Sequence, residues 1–362
     1  MTGIDPGHAD VLALRCNALG DYLMATPALA ALRTRFPDAH LVLVGAPWHA
    51  RFLAGRPGPV DEVAVLPRVE GLAGQPADAP DAAELPDFLA RLRARRPALA
   101  LQLHGGGTVA NPLVSAFAAG ATTGLRAPGA PPLDRTVPYR YYQSEASRLL
   151  EVTALVGADG PPEYPRLAVL DHEREQAAAL LPGPGPWVAL HPGATDPRRR
   201  WPAERFAAVA AHAAATGARP VLVGGPDERP LTAAVAAALP AGIAVLDLAG
   251  VTGLGALAGV LERCAAIVAN DSGPLHLARA VGTPTVGLFW CGNVINAGPT
   301  RRTTDRPLLA WTVHCPECGA DCTPAGNPHR PGEGCTHRPS FLGDIPVAEV
   351  VAELSDLLGN PD

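Results

Sequence analysis

Three short stretches hold residue types that could do chemistry together. In Arg15-Cys16-Asn17-Ala18-Leu19-Gly20-Asp21, a glycine suited to a tight turn precedes a carboxylate where a helical stretch begins and runs on through Thr26-Pro27-Ala28-Leu29. A carboxylate there can act as a general base on a hydroxyl, or it can simply cap the helix, and spacing alone leaves both open. The second stretch, His191-Pro192-Gly193-Ala194-Thr195-Asp196-Pro197-Arg198-Arg199-Arg200-Trp201-Pro202, crowds three guanidinium groups and a hydroxyl into one loop. Guanidinium groups grip a diphosphate through paired hydrogen bonds; a solvated basic turn is the alternative. The third, Asn270-Asp271-Ser272-Gly273-Pro274-Leu275-His276, places Ser272 and Gly273 where a strand gives way to a helix. Free N–H groups and the helix dipole would make this a phosphate cradle without a metal, with His276 one turn along, unless Asp271 and Ser272 serve only as an N-cap.

A fourth cluster is of another kind. Cys315, Cys318, Cys322 and Cys335 follow a C-x2-C-x3-C-x12-C pattern, with His314, His329 and His337 close by. In a protein of a reducing compartment this spacing reads as a structural zinc or iron-sulfur site ahead of a pair of disulfides. Its role would be to staple a Gly/Pro-rich excursion, and no part in catalysis is assigned to it. Cys16, Cys264 and Cys291 stand apart.

The elements that must position these loops are legible as alternating runs. Val11 to Arg15, Leu41 to Ala46, Glu62 to Leu66 and Leu99 to His104 are short, largely apolar segments, each followed by a longer stretch of helical period. Runs that are apolar throughout suit strands covered on both faces, hence a parallel sheet with right-handed crossovers. Pro/Gly-rich stretches at Gly157 to Pro165 and Leu181 to Pro186 interrupt the pattern, flanking the polar helical segment Asp171 to Leu180. The alternation then resumes with Trp187 to His191, Arg219 to Gly224, Ala244 to Leu248, Ala265 to Asn270 and Thr285 to Trp290. The expectation is therefore α/β, with two Rossmann-like doubly wound domains facing a cleft. Residues 1–165 form the first; residues 166–345, with a Cys-rich segment at 314–337, form the second; residues 346–362 are a closing helical stretch expected to pack back on the first domain.

Composition narrows the function classes. With 362 residues, 48% of them hydrophobic, the chain can fill two cores. All 29 basic residues are arginine, which lowers the weight of any single scattered one, and the formal net charge is −6 without a basic stretch interleaved with aromatics. Nucleic acid is not an expected partner. No apolar run reaches the ~20 residues that span a bilayer, and Met1 to Asp10 is polar. A cytoplasmic protein is expected, with Arg91 to Arg96 as a stretch able to lie against an anionic membrane surface or, more plainly, to form a solvated helix face.

Taken together, the three loops resemble glycosyltransferase family 9, the heptosyltransferase family. The likeness rests on Ala18-Leu19-Gly20-Asp21 with Thr26-Pro27-Ala28-Leu29, on His191-Pro192-Gly193-Ala194 leading to Arg199-Arg200-Trp201-Pro202, and on Asp271-Ser272-Gly273-Pro274-Leu275-His276-Leu277-Ala278. The resemblance implies a GT-B fold, an inverting, metal-independent transfer, an ADP-activated sugar as donor, and typically a heptose added to a lipopolysaccharide core. It implies that Asp21 is the base, with Gly20 and Gly193 shaping their loops. Thr195 and Arg199 match a threonine and a lysine that hold the donor phosphates, Asp271, Ser272, Gly273 and His276 match the pyrophosphate cradle, and Glu228 matches a carboxylate on the donor ribose. The chain departs from the family pattern at Trp290-Cys291-Gly292-Asn293-Val294-Ile295-Asn296, where the family has a Gly-Pro-Thr-like segment. A nucleotide-sugar epimerase of the same architecture, or a non-catalytic nucleotide-sugar-binding protein, would share the second and third loops; the latter would have no use for Asp21.

Overall fold

The computed structural model describes residues 6–161, 166–322 and 336–359. The chain divides into two compact units, Met1–Ala168 and Val169–Asp362. In the first, six parallel strands, β1 (Asp10–Leu14), β2 (His40–Gly45), β3 (Glu62–Val65), β4 (Leu99–Gln102), β5 (Ala121–Arg126) and β6 (Arg135–Pro138), lie in the order β3-β2-β1-β4-β5-β6. In the second, β7 (Trp187–His191), β8 (Arg219–Leu222), β9 (Leu246–Asp247), β10 (Ala266–Asn270), β11 (Thr285–Trp290) and β12 (Asp305–Ala310) lie in the order β12-β11-β10-β7-β8-β9. Both sheets follow one rule: the chain builds outward on one side of the first strand, then returns and builds on the other.

Residue burial explains which strands the sequence announces. β1, β4, β7, β10 and β11 are buried along their whole length, as apolar strands covered on both faces must be. The strands that periodicity passes over are β5, β6 and β12. β5 opens Ala-Thr-Thr-Gly, while β6 and β12 are sheet edges that begin with a charged residue and contain proline, which an edge tolerates because one row of its N–H groups has no partner strand.

Two helices show how sequence sets packing in the second unit. Helix Asp171–Leu180 lies against helix Leu254–Arg263 at Gly259, where a Cβ would come 2.3 Å from the Glu173 carbonyl oxygen; only glycine admits that approach. The final helix, Val347–Leu357, corrects the expectation that it returns to the first domain. Its Val350 and Leu354 are fully buried in the second unit's core, against helix Ala203–Ala215 and strands β10 to β12. Arg306 of β12 reinforces this with ion pairs to Glu353 and Asp356.

Truncating Leu354 to alanine should therefore destabilise the second unit by about 2–5 kcal/mol. Four of the five tryptophans lie in that unit, so denaturant unfolding followed by tryptophan fluorescence reads the change directly.

Candidate functional site

In each unit the strand order reverses between two neighbouring strands, β1 and β4 or β7 and β10. At such a switch point the loops leaving the two strands diverge to opposite faces of the sheet and open a crevice at the strands' carboxyl ends. The loops singled out by residue type leave the sheets at these points.

In the first unit, Asp21 lies in the first turn of helix Leu19–Arg35 but does not cap it; Ala18 is the N-cap, with no side-chain cap bond. Gly20 is an ordinary helical residue there and does not make the expected tight turn. The Asp21 carboxylate, 41% exposed, pairs instead with Arg15 at 3.1 Å, and the Arg15 Nε donates to the Asp21 carbonyl at 3.0 Å. Arg15 is 1% exposed and also reaches Glu145 at 2.9 Å and the Leu103 carbonyl at 2.5 Å. Glu145 in turn accepts from Arg148 at 3.0 Å. Burial alone would raise the Glu145 carboxyl, but Arg15 and Arg148 hold it below the usual carboxylate range. Beside this network, burial lowers His104 to about 4 and lifts the Cys16 thiol to about 12, so both are neutral at physiological pH.

In the second unit, the loops after β7 and β10 are stitched together by Asn270. Its Nδ2 donates to the Pro192 carbonyl at 2.8 Å, and its Oδ1 accepts from the Trp201 backbone N–H at 3.1 Å. Next to it, Asp271 is 4% exposed and collects three partners: Arg199 Nη1 at 3.2 Å, His276 Nε2 at 3.1 Å and Asn293 Nδ2 at 2.7 Å. Burial opposes ionisation of this carboxyl, but the His276 hydrogen bond, the Arg199 charge and Asn293 outweigh it and hold it at about 2. His276 is itself buried, with Arg279 Nη1 3.4 Å from its Nδ1. Nε2 thus faces the Asp271 carboxylate, and Nδ1 faces the Arg279 guanidinium.

The three arginines divide their tasks. Arg198 is committed to Asp196 through a fork, with Nε at 3.0 Å and Nη2 at 2.5 Å. Arg200 donates its Nε to the Ala194 carbonyl at 2.9 Å. Arg199 uses Nη1 on Asp271, and its buried Nε has no hydrogen-bond partner among the described residues. Thr195 is exposed on the same loop.

Ser272 occupies the N-cap of helix Gly273–Val281 without capping it. Its hydroxyl turns away, to the Asn270 carbonyl at 2.9 Å and to His191 Nδ1 at 3.0 Å. The first N–H groups of that helix are therefore left for another acceptor. His191 Nε2 lies 3.1 Å from Glu228, whose carboxylate also accepts from the Gly225 N–H at 2.7 Å. Burial would raise Glu228, but His191 and the Gly225 N–H hold it low. Glu228 packs directly on Gly193, where a Cβ would sit 1.7 Å from its Oε1. Thus Gly193, Thr195, Arg199, Glu228, Asp271, Ser272, Gly273 and His276 gather at one switch point. Sequence reasoning missed Glu145, Asn293 and the bridging role of His191, because nothing local marks a partner that arrives from a distant segment.

Two Rossmann-like units, each with strand order reversed about its first strand, define the GT-B class of fold. The family model of glycosyltransferase family 9 (heptosyltransferase) matches residues 90–311, and the chain belongs to that family. Lipooligosaccharide heptosyltransferase 2 of Haemophilus influenzae is 33% identical over 137 residues, which is 37% of each chain, so the match spans well under half of that relative's length. Among solved structures, ADP-heptose lipopolysaccharide heptosyltransferase II of Escherichia coli is similar with a TM-score of 0.73 and 23% identity, covering 96% of this chain and 98% of that one. A second E. coli heptosyltransferase, solved with ADP, gives a TM-score of 0.61 at 20% identity, covering 83% and 91%. No helix among the described residues is long and apolar enough to cross a membrane.

Because the Asp271 carboxyl is held at about 2, below the ordinary 3.8, its ionised form stabilises the fold fully above about pH 4, and this contribution fades as pH falls towards 2. Replacing Asp271 by asparagine should lower stability at pH 7, and the gap from wild type should close between pH 4 and pH 2 in denaturant titrations. A gap that is the same at pH 2 as at pH 7 would contradict this pairing.

Proposed function

We propose that this protein transfers a heptose-like sugar from an ADP-sugar to a cell-envelope glycan or glycolipid acceptor, with inversion at the anomeric carbon and without a divalent ion in the chemical step. The observation that carries this reading is the uncapped start of helix Gly273–Val281 beside Arg199. It offers backbone donors, a helix dipole and a guanidinium edge, the parts that a diphosphate needs. The likeness to a heptosyltransferase solved with ADP supports adenine as the base.

In this reading Asp21 accepts the proton of the acceptor hydroxyl as its oxygen attacks the anomeric carbon. Arg15 holds the carboxylate in one orientation, and Glu145 offsets the charge of Arg15 so that Asp21 is not left facing an unbalanced cation. The departing diphosphate gains negative charge, which Arg199, Thr195 and the N–H groups at Ser272 and Gly273 stabilise. His276, hydrogen-bonded to Asp271, orients that carboxylate and, through it, Arg199. Glu228, fixed by His191 and Gly225, takes the ribose hydroxyls. The site of action is the cytoplasm, at the inner face of the membrane where a lipid-linked acceptor is presented. The Cys/His group near the C-terminus is structural and has no part in the transfer.

Calorimetry with a panel of nucleoside diphosphates and nucleotide sugars tests the donor half. ADP should bind without added metal ion, and Arg199→Ala should weaken it by about 10- to 100-fold, the worth of one charge-assisted contact. Gly193→Ala, which drives Glu228 from its place, should weaken ADP but not pyrophosphate. Asp21→Asn should leave ADP binding unchanged and slow transfer by about 10²- to 10⁴-fold. If no nucleotide binds to the wild-type protein, the transferase reading is lost.

A further inference from the structure

Beyond strand β12 the chain makes a small knuckle. The Gly319 N–H donates to the Cys315 carbonyl at 2.8 Å, the Cys315 N–H to Ala320 at 2.8 Å and the Cys322 N–H to Val313 at 2.8 Å, with one antiparallel bridge between His314 and Asp321. Gly319 takes φ +72°, a left-handed conformation that lets the chain turn back directly after Cys318. The turn brings Cys315 and Cys318 to one side, and His337 reaches them from a segment 19 residues further on than Cys318, so that the ligand atoms of all three lie within 4.8 Å of one another.

The distances suit a tetrahedral thiophilic ion. Zinc bonds of about 2.3 Å to sulfur and about 2.0 Å to nitrogen place S and N ligand atoms about 3.6 Å apart. Cys315 Sγ and His337 Nδ1 are 3.8 Å apart. The other ring nitrogen of His337, Nε2, lies 3.6 Å from the Glu317 carboxylate. A carboxylate on the far nitrogen is what orients a metal-binding imidazole, with Nδ1 here turned toward Cys315. Of the four cysteines that the spacing singles out, Cys322 stands outside this converging group, with its Sγ 3.5 Å from the Ala320 carbonyl, and Cys335 lies outside the described residues.

What such an ion would fasten is visible in the hydrogen bonds that follow His337. Ser340 Oγ donates to the Arg200 carbonyl at 2.6 Å, and the Phe341 N–H donates to the Arg198 carbonyl at 2.7 Å. The Ile345 carbonyl accepts from Trp201 Nε1 at 3.1 Å and from Arg205 at 2.8 Å. Residues 337–345 thus form a strap, without a helix or strand of its own, laid along the loop that carries Arg199. Phe341 and Cys322 line a cavity together with Arg199, Asn293 and Trp290. An ion shared by the knuckle and His337 ties the His337 end of the strap to the segment after β12 and so removes conformational freedom from both strap and loop.

We propose that Cys315, Cys318 and His337 bind one zinc ion, with release of the two thiol protons, and that this ion fastens the 337–345 strap against the arginine loop. The metal site and its fastening of the strap stand whether or not the donor reading holds.

The test uses the full chain, purified reduced and without a polyhistidine tag. Elemental analysis should find about one zinc per chain, and Co²⁺ exchange should give the visible bands of a tetrahedral thiolate site. Cys318→Ser, at an exposed position, and His337→Ala should lose the ion, whereas His337→Cys should retain it. On metal removal, amide exchange at Ser340 to Ile345 and Arg198 to Trp201 should rise by about tenfold or more while β7 and β10 stay protected, and returning zinc should reverse this. Absence of any bound transition metal together with no cobalt bands, or disulfides among the cysteines of the reduced-purified protein, would overturn the site. Metal bound but exchange unchanged on its removal would overturn the fastening role. If ADP fails to bind even the zinc-loaded protein, the donor reading falls while the metal and exchange results still decide this one.

Discussion

A carboxylate withdrawn from water must be paired, and Asp271 shows what that requirement organises. Taking an ionised carboxyl out of solvent costs several kcal/mol unless charges and donors surround it. Its partners come from three segments: Arg199 from the loop after β7, His276 from the helix after β10, and Asn293 from helix Cys291–Ala297 after β11. Satisfying one buried charge therefore sets the position of a guanidinium, the orientation of a histidine ring and the path of the chain after the last interior strand. With Ser272 drawn to Asn270 and His191, the helix start beside this cluster has no side-chain cap among the described residues.

The first unit applies the same physics with the signs exchanged. There the buried group is a cation, Arg15, and the carboxylates of Asp21 and Glu145 gather round it. The shared strand order explains the parallel. In both sheets the crevice opens where the chain reverses direction about its first strand, and the residue ending that strand or entering the next loop must be polar because it leaves the sheet there. One switch point ends in a half-exposed carboxylate and the other in a cationic, N–H-rich cradle, a division suited to a proton acceptor in one unit and an anion site in the other.

The sequence was most legible where local rules suffice. Fully buried, largely apolar strands such as Leu99–Gln102 and Ala266–Asn270 declared themselves, and with them the parallel α/β architecture, because burial on both faces leaves no room for polar alternation. The edge strands β6 and β12 did not, since an edge has no such constraint. Site residues were legible in type, as in the Asp271-Ser272-Gly273 stretch, but not in what they touch. Asp21 looked as suited to capping as to catalysis; the structure shows that it pairs with Arg15, whose other partner, Glu145, lies 130 residues away from it in the chain. The closing helix was placed on the wrong domain because amphipathicity says that a face will be buried and not where.

By itself, then, the sequence determined the class of fold, the division into two units and the chemical character of each strand-end loop, all of which follow from hydrophobic period and residue type within a window of a few residues. Only the tertiary structure decided which arginine of three pairs with Asp271, how Asn293 enters the site through a segment that departs from the family pattern, and that His337 meets Cys315 and Cys318. Those outcomes depend on contacts between residues 22 to 72 positions apart in the chain, and their geometry exists only once the second sheet has formed.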